Sequence, residues 1–270
     1  MSKSIGILGC GWLGLPLGEH ISSLGFRVRG STTSEERLNT LRSKNIEPYL
    51  LRVTEEGIVG EVNFFSSVDK LIIAVPPGLR SDLKRRFDVM MNHVKKACIE
   101  QGIKEIIFIS STSIYGNLYG IITEKSITEP ETNSGKQLLQ CEALLSNSVH
   151  FNTTTLRMGG LIGAERHPVF QLSKKAFVTN PKGSINLIHL TDCINIISSL
   201  MDQPIVQNVY NCVTPYHPSR VEYYTQMAIQ MGCKPPLFKD SVTFDRKISS
   251  EKLQQNFNYA FHVKNLLISS

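Results

Sequence analysis

Short apolar runs bounded by glycines alternate with amphipathic stretches through the first half of the chain. "SIGILG" reads as a short strand, after which a glycine cluster opens an apolar helix reaching about Leu24. "GFRVRGS" reads as a second strand, and "SEERLNTLRSKN" as a helix with Ser34 at its N-cap. "YLLRV" and "KLIIAVPP" are further strands, the latter stopped by Pro76 and Pro77. The pattern of "SDLKRRFDVMMNHVKKACIEQG" predicts a long helix from Ser81 that ends at Gly102. "KEIIFIS" is almost continuously apolar, as a strand buried on both faces of a parallel sheet must be. This repetition predicts right-handed crossovers and an α/β fold, a doubly wound parallel sheet.

Beyond Val149 the pattern loosens. "TTTLRM", "SINLIHL" and "QNVYNCV" read as strands, and "TDCINIISSLMDQ" as a helix capped by Thr191 or Asp192. "HPSRVEYYTQMAIQMG" and "SSEKLQQNFNYAF" read as helices of a smaller lobe laid over the sheet edge. There is no internal repeat or low-complexity tract.

With 270 residues, 41% of them hydrophobic, the chain can bury a substantial core. No apolar run approaches the roughly 18 to 20 residues needed to span a bilayer, so no membrane association is expected. The N-terminal apolar stretch carries five glycines between Gly6 and Gly18, which argues against a signal peptide. Six cysteines without a C-x-x-C pair give no metal-binding spacing, and reduced buried thiols in a cytoplasmic protein are the expectation. The formal net charge is +6, with basic clusters in Leu79 to Asp88, at Lys95 and Lys96, and at Lys174 and Lys175. Solvated helix faces account for these clusters, and the phosphates of a dinucleotide are the second reading. No nucleic-acid motif accompanies them, so no nucleic-acid partner is expected.

Gly9-Cys10-Gly11-Trp12-Leu13-Gly14 is a G-x-G-x-x-G run between a strand and a helix. There the first glycine makes a tight turn, the second admits a diphosphate to the backbone, and the third lets helix and strand pack closely. The expectation is therefore a dinucleotide-binding Rossmann domain over residues 1–155. A mixed substrate-binding lobe would occupy 156–270, with segments near 185–212 returning to the sheet. An NAD site places Asp or Glu at the end of the second strand, about 20 residues on. Here that place reads Arg29-Gly30-Ser31-Thr32-Thr33. A carboxylate there would repel a 2′-phosphate, whereas Arg29, Ser31 and Thr32 would bind one, so NADP(H) is expected over NAD(H). Arg29 as an exposed strand residue is the alternative. Val75, Pro76 and Pro77 would wall the adenine or diphosphate, or the prolines simply end their strand.

"SSTSIYG" after the fifth of these strands, "LRMGGLIGAERHP" and "NLIHLTD" extend the picture over nearly the whole length. Through them the chain resembles the extended short-chain dehydrogenase/reductase superfamily of NAD-dependent epimerases and dehydratases. Within it, "GWLG", "SSTSxYG", "TNSG" and "HLxD" are similar to a bacterial subgroup of atypical members. The resemblance implies that Ser111, with Thr112 and Ser113 beside it, contacts a reacting carbonyl, and that Ser110 lies at the cofactor. It places His189 and Asp192 at a helix start near the junction of the lobes. It also implies a small-molecule substrate and a homodimer formed through two helices.

The catalytic helix departs from that pattern, which is approximately Tyr-Gly-x-x-Lys-x-x-x-Glu in the superfamily. Laid ungapped on "SGKQLLQCE", Gly135 and Glu142 match, but Ser134 and Leu138 replace the tyrosine and lysine. A shift of two residues recovers Lys136 but leaves Thr132 in the tyrosine's place. A phenol near pKa 10 can be tuned by a neighbouring cation, whereas an aliphatic hydroxyl cannot be moved so far. Ser134 or Asn133 reads more simply as the helix N-cap, and Lys136 as a contact to ribose or phosphate. Candidates to carry the proton are Tyr115, Tyr119, Arg166, His167 and His217, each with a structural alternative.

Two functions follow. One is an oxidoreductase or epimerase/dehydratase on a small carbonyl or sugar-like substrate. The other is a non-catalytic dinucleotide-binding module that reports redox state. A reductase of the β-hydroxyacid or pyrroline-carboxylate kind is disfavoured, because such enzymes need neither "SSTSIYG" nor "IHLTD".

Overall fold

In the computed structural model, which describes residues 3–78, 84–163, 165–240 and 245–267, every position of the first strand, β1 (Ser4–Leu8), is buried. A strand without a polar face must be covered on both sides, and helices from both directions cover this one. The chain continues through α1 (Gly14–Ser23), β2 (Arg27–Thr32), α2 (Leu38–Ser43), β3 (Glu47–Val53), β4 (Ile58–Gly60) and β5 (Lys70–Ile73). Then come α3 (Phe87–Glu100), β6 (Glu105–Ser111), β7 (Gly120–Ile122), α4 (Asn133–Ser146), β8 (Asn152–Met158) and β9 (Gly160–Ile162). The last elements are α5 (Val169–Leu172), β10 (Leu187–His189), α6 (Leu190–Ser198), β11 (Asn208–Cys212), α7 (Arg220–Gln230), β12 (Arg246–Ile248) and α8 (Glu251–Phe257).

The main sheet has eight strands in the order β11-β8-β6-β5-β1-β2-β3-β4. All neighbours in it are parallel except β3 and β4. The order reverses at β1, which pairs with β2 on one side and β5 on the other. That switch point leaves a crevice beyond the strands' carboxyl ends, the usual place for a ligand in such sheets. Helices α3 and α4 bury Met91, Val94, Leu138 and Leu145 on one face, while α1 and α6 bury Leu17, Ile21, Ile196 and Ile197 on the other. A third cluster, around Val169, Tyr223, Tyr224 and Met227, forms a small lobe with β9 paired to β10. Among the described residues no helix is long and apolar enough to cross a membrane.

Several local expectations are corrected. The helix expected from Ser34 divides into a 3₁₀ turn, Glu35–Arg37, and α2, and the Ser34 side chain caps neither. Instead the Ser34 amide donates to Thr32 Oγ1 at 3.2 Å. The helix expected from Ser81 starts at Phe87, and residues 81–83 lie outside the described residues. The amide of Phe87 donates to Gln137 Oε1 at 2.6 Å, so a side chain from α4 serves the first turn of α3. Thr132, not Asn133 or Ser134, caps α4, its Oγ1 accepting from the Gly135 amide at 3.1 Å. His189 rather than Thr191 or Asp192 caps α6. The side chain of Asp192 is instead fully buried and accepts from Tyr259 Oη, His262 N and Val263 N, tying down the C-terminal segment. Helix α8 packs Leu253 against the main sheet rather than within the small lobe.

Beneath the carboxyl ends of β6 and β8 lies a buried polar network. Arg157 and Glu142 are each 6% exposed and meet through Nη2 and Oε2 at 2.7 Å. Ser110 Oγ donates to Glu142 Oε1 at 2.5 Å, and Arg157 Nη1 donates to Tyr115 Oη at 2.8 Å. Tyr115 in turn donates to Asn211 Oδ1 at 2.8 Å, linking α4, β6, β8 and β11. A second buried cation, Lys70, donates to the carbonyls of Leu200, Met201 and Gln203 beyond the end of α6.

Removing Glu142 would strand the Arg157 charge in the core, so Glu142→Ala is expected to lower stability by about 3–5 kcal/mol. Urea unfolding measures it, and a loss under about 1 kcal/mol would show the network to be ornamental. In the small lobe His167 is buried between Tyr223 Oη, at 2.9 Å from Nε2, and the Val169 amide, which donates to Nδ1 at 3.1 Å. Burial pushes its pKa down from 6.5 to about 4. The folded state therefore binds fewer protons than the unfolded chain between those values. The stabilisation is complete above pH 6.5 and lost as the pH falls to about 4. The loss amounts to at most about 3 kcal/mol. His167→Gln should flatten that part of the wild-type stability profile, and unchanged slopes in the two proteins would refute the assignment.

Candidate functional site

Two cavities lie along the carboxyl ends of the strands. The first, of about 580 Å³, runs over the switch point between β1 and β5. Its floor is the glycine turn. Gly9 adopts φ +100°, and a Cβ on Gly14 would come within 2.2 Å of the Gly9 carbonyl, so close packing of α1 demands glycine at both. A Cβ on Gly11 would meet nothing within 4 Å, so the turn leaves space above the backbone at that residue. The amides of Trp12, Leu13 and Gly14 donate to no acceptor among the described residues, as at the start of any helix, and the helix dipole adds positive potential there. Such a cradle accommodates a diphosphate. The Trp12 ring is covered by Arg166, whose guanidinium carbon stands 5.0 Å from the ring centroid, and its Nε1 is buried without a partner among the described residues.

The end of β2 supplies one wall of this cleft through Ser31, Thr32 and Thr33. Ser31 Oγ accepts from the Gly9 amide at 2.9 Å, holding the glycine turn to β2. Arg37 also lines the cleft, whereas Arg29 does not. Arg29 was expected at the cofactor, but it is 7% exposed. Its Nε donates to Tyr49 Oη at 2.9 Å and its Nη1 to the Ser66 carbonyl. Pleating explains this: residues 29 and 31 share a face, but 29 lies deeper in the sheet, under the loop that precedes β5. No spacing rule placed Arg37, because a 3₁₀ turn rather than a regular helix carries it. Glu55 and Glu56 face the cleft from the turn after β3, and Val75 and Pro76 from the end of β5. Pro77 is half-buried next to them and outside the lining.

The second cavity, of about 440 Å³, lies between the end of β6 and the small lobe. Ser111, Thr112 and Ser113 form one side of it. Ser111 Oγ accepts from the Ser113 amide at 3.1 Å, which fixes its rotamer at the mouth of the 3₁₀ turn. Arg220 and Tyr224 of α7 and Arg246 of β12 also line it, with Asn180 and Asn186. Arg220 and Tyr224 are one turn apart on α7, and the guanidinium carbon stands 5.7 Å from the phenol ring's centroid. Burial pushes the Tyr224 phenol up, and the neighbouring Arg220 charge opposes that shift. These residues were not singled out in the sequence, where "SRVEYY" is an unremarkable helix start and "FDRK" belongs to no motif.

Five expected site residues are placed elsewhere. Tyr115 is fully buried with its hydroxyl held between Arg157 and Asn211, and burial pushes its pKa up, with Arg157 opposing. The Ser110 hydroxyl is committed to Glu142, away from any cofactor. His167 is the neutral core residue described above. Lys136 is exposed on α4 and lines neither cavity, while Leu138 joins the core. His217 hydrogen-bonds the Ile185 carbonyl through Nδ1 at 2.9 Å, and burial lowers its pKa. Thiol chemistry is disfavoured too, since burial pushes Cys10, Cys98 and Cys141 up to about 12.

No protein-family model matches the chain. Among solved structures, it is similar to UDP-glucuronic acid 4-epimerase from Bacillus cereus in complex with NAD, with a TM-score of 0.79 and 15% identity. The alignment covers 97% of this chain and 94% of that one. UDP-N-acetylglucosamine 4-epimerase from Bacillus cereus gives a TM-score of 0.77 at 18% identity, covering 96% and 91%. A conserved protein of unknown function from Silicibacter pomeroyi gives 0.76 at 16%, covering 98% and 95%. At such identities the likeness is one of fold. Sequence comparison reaches further: Protein YeeZ of Escherichia coli K12 is 34% identical over 244 residues, 89% of this chain and 88% of that protein. The chain belongs to the same family as Protein YeeZ, and its fold is that of the extended short-chain dehydrogenases/reductases.

Proposed function

We propose that this protein is an NADP(H)-dependent oxidoreductase or epimerase/dehydratase-type enzyme acting on a small carbonyl, alcohol or sugar-like substrate. The observation that carries this reading is the cavity beside Ser111. A chain that kept the fold only to hold a dinucleotide would have no need of an open, polar-walled space at that point. Gly9, Gly11, Trp12, Leu13 and Gly14 would hold the diphosphate, with Val75 and Pro76 opposite. Ser31, Thr32, Thr33 and Arg37 would take the adenosine ribose and a 2′-phosphate. Structural neighbours solved with NAD support a nicotinamide dinucleotide here, and the absence of an acid at the end of β2 favours the phosphorylated form. A bound nicotinamide would accept or supply the hydride.

Ser111 then hydrogen-bonds the substrate oxygen and fixes its position. Helix α4 offers no phenol, so the proton at that oxygen needs another carrier. Tyr224 is the phenol on the cavity wall, and we assign it that proton, with Arg220 favouring the phenolate after transfer. The burial of Leu138 in place of the family's lysine favours the second reading, a non-catalytic dinucleotide-binding module.

The two readings part on turnover. NADPH consumption against a panel of aldehydes, ketones and nucleotide sugars should reveal a substrate, whereas tight NADPH binding without turnover on any would favour the module. The single tryptophan, Trp12, lies in the glycine turn and reports binding directly through its fluorescence. Arg37→Ala should weaken NADPH roughly 10- to 100-fold and leave NADH nearly unchanged, as expected for one lost charge-assisted contact. Equal losses for both cofactors would remove the 2′-phosphate assignment. Once a substrate is found, Tyr224→Phe should lower kcat by about 10²–10⁴ without altering NADPH affinity. Wild-type turnover in that variant would exclude Tyr224 as the proton carrier.

A further inference from the structure

The wall of the cavity beside Ser111 contains two guanidinium groups, Arg220 and Arg246, and no aspartate, glutamate or lysine. Arg220 makes no ion pair and no side-chain hydrogen bond among the described residues, and its Nε is buried without a partner there. Taking a cation partly out of water without a counter-charge is costly, and such a site is retained where something else supplies the anion. The neighbouring helix amides do not supply a competing site. The amide of Arg220 donates to the Gly183 carbonyl at 2.8 Å and that of Val221 to the Pro181 carbonyl at 2.9 Å.

Arg246 comes from a separate element and is held at its backbone. It begins β12, which pairs with β7, and Asn186 fastens the same strand at two points. Asn186 Nδ2 donates to the Arg246 carbonyl at 3.0 Å, and its Oδ1 accepts from the Ile248 amide at 2.8 Å. Arg246 Nη1 donates to the Gly116 carbonyl, so the side chain is oriented as well. Burial lowers its pKa, and Glu131 opposes that shift from outside the cavity wall. The Glu131 carboxylate also accepts from Asn117 Nδ2. The planar forks of two guanidiniums, one of them fixed by the backbone, match the oxygens of a carboxylate or phosphate.

Resting on the proposed enzymatic reading, we infer that this cavity binds an oxyanion carried by the substrate itself, between Arg220 and Arg246. Because Ser111 borders the same cavity of about 440 Å³, the acid group lies close to the reacting carbon. The substrate class is therefore an oxo or hydroxy acid, or a phosphate ester of a small carbonyl compound.

The test uses the cofactor-free full chain and two probes, glycolate for a carboxylate and inorganic phosphate for a phosphoryl group. Calorimetric titration should show saturable binding of at least one of them, and the stronger names the source. Arg220→Met and Arg246→Met keep most of the aliphatic volume and should each weaken that binding at least tenfold. Lys96→Ala, at an exposed lysine of α3 outside both cavities, should leave it unchanged. The Trp12 response to NADPH, read separately, verifies that each variant is folded. In wild-type protein, saturating probe should also protect Arg246 from phenylglyoxal labelling, read by mass spectrometry. No binding of either probe, binding unaltered in both methionine variants, loss on Lys96→Ala, or unprotected labelling would each overturn the inference. Anion binding without any NADPH response would instead sink the cofactor reading and leave this site standing.

Discussion

The ion pair between Glu142 and Arg157 is the interaction on which the site's geometry depends. Each group is almost wholly removed from water, and alone each would be prohibitive there. Together with Ser110, Tyr115 and Asn211 they saturate one another, so α4, β6, β8 and β11 can meet in one relative placement. Apolar packing tolerates sliding by a fraction of a turn. A closed set of charge-assisted hydrogen bonds does not. The end of β6 enters the second cavity through Ser111, one residue after the serine that donates to Glu142.

That network also fastens α4 in place. Glu142 anchors the helix through Ser110 and Arg157. Leu138, at the lysine's position in the ungapped register, is absorbed into the apolar cluster between α3 and α4. Gln137 reaches back to the Phe87 amide and the Arg85 carbonyl and fastens the start of α3. Helix α4 is thus a packing element, while the titratable and cationic groups of the second cavity come from α7 and β12: Arg220, Tyr224 and Arg246.

The parts legible in the sequence were those governed by local rules. A G-x-G-x-x-G run after an apolar strand specifies its own turn, because Gly9 and Gly14 have no alternative that avoids backbone collision. The position of Ser111 was legible for a similar reason, at the carboxyl end of a strand buried on both faces, where it borders the second cavity. Tyr115, His167 and Arg29 were misread because polarity and position near a motif say nothing about where a side chain points. All three are consumed by partners distant in sequence: Asn211 lies 96 residues from Tyr115, Tyr223 lies 56 from His167, and Ser66 lies 37 from Arg29. The caps were misread on a smaller scale. Thr132, Asn133 and Ser134 are all competent cap residues, and the choice among them depends on where the loop delivers the chain.

The sequence by itself determined the layered α/β architecture, the glycine turn after β1 and the absence of a tyrosine–lysine pair on α4. Periodicity, glycine conformations and residue identity are properties of short segments, and short segments are what a sequence displays directly. Only the tertiary structure decided which polar groups remain available for chemistry. It withdrew Tyr115, Ser110, His167 and Arg29 into buried hydrogen bonds, and it brought Arg37 to one cleft and Arg220, Tyr224 and Arg246 to the other. The physical reason is that a buried polar group must find partners wherever the fold puts them. The groups left facing a cavity are those for which the fold provides too few.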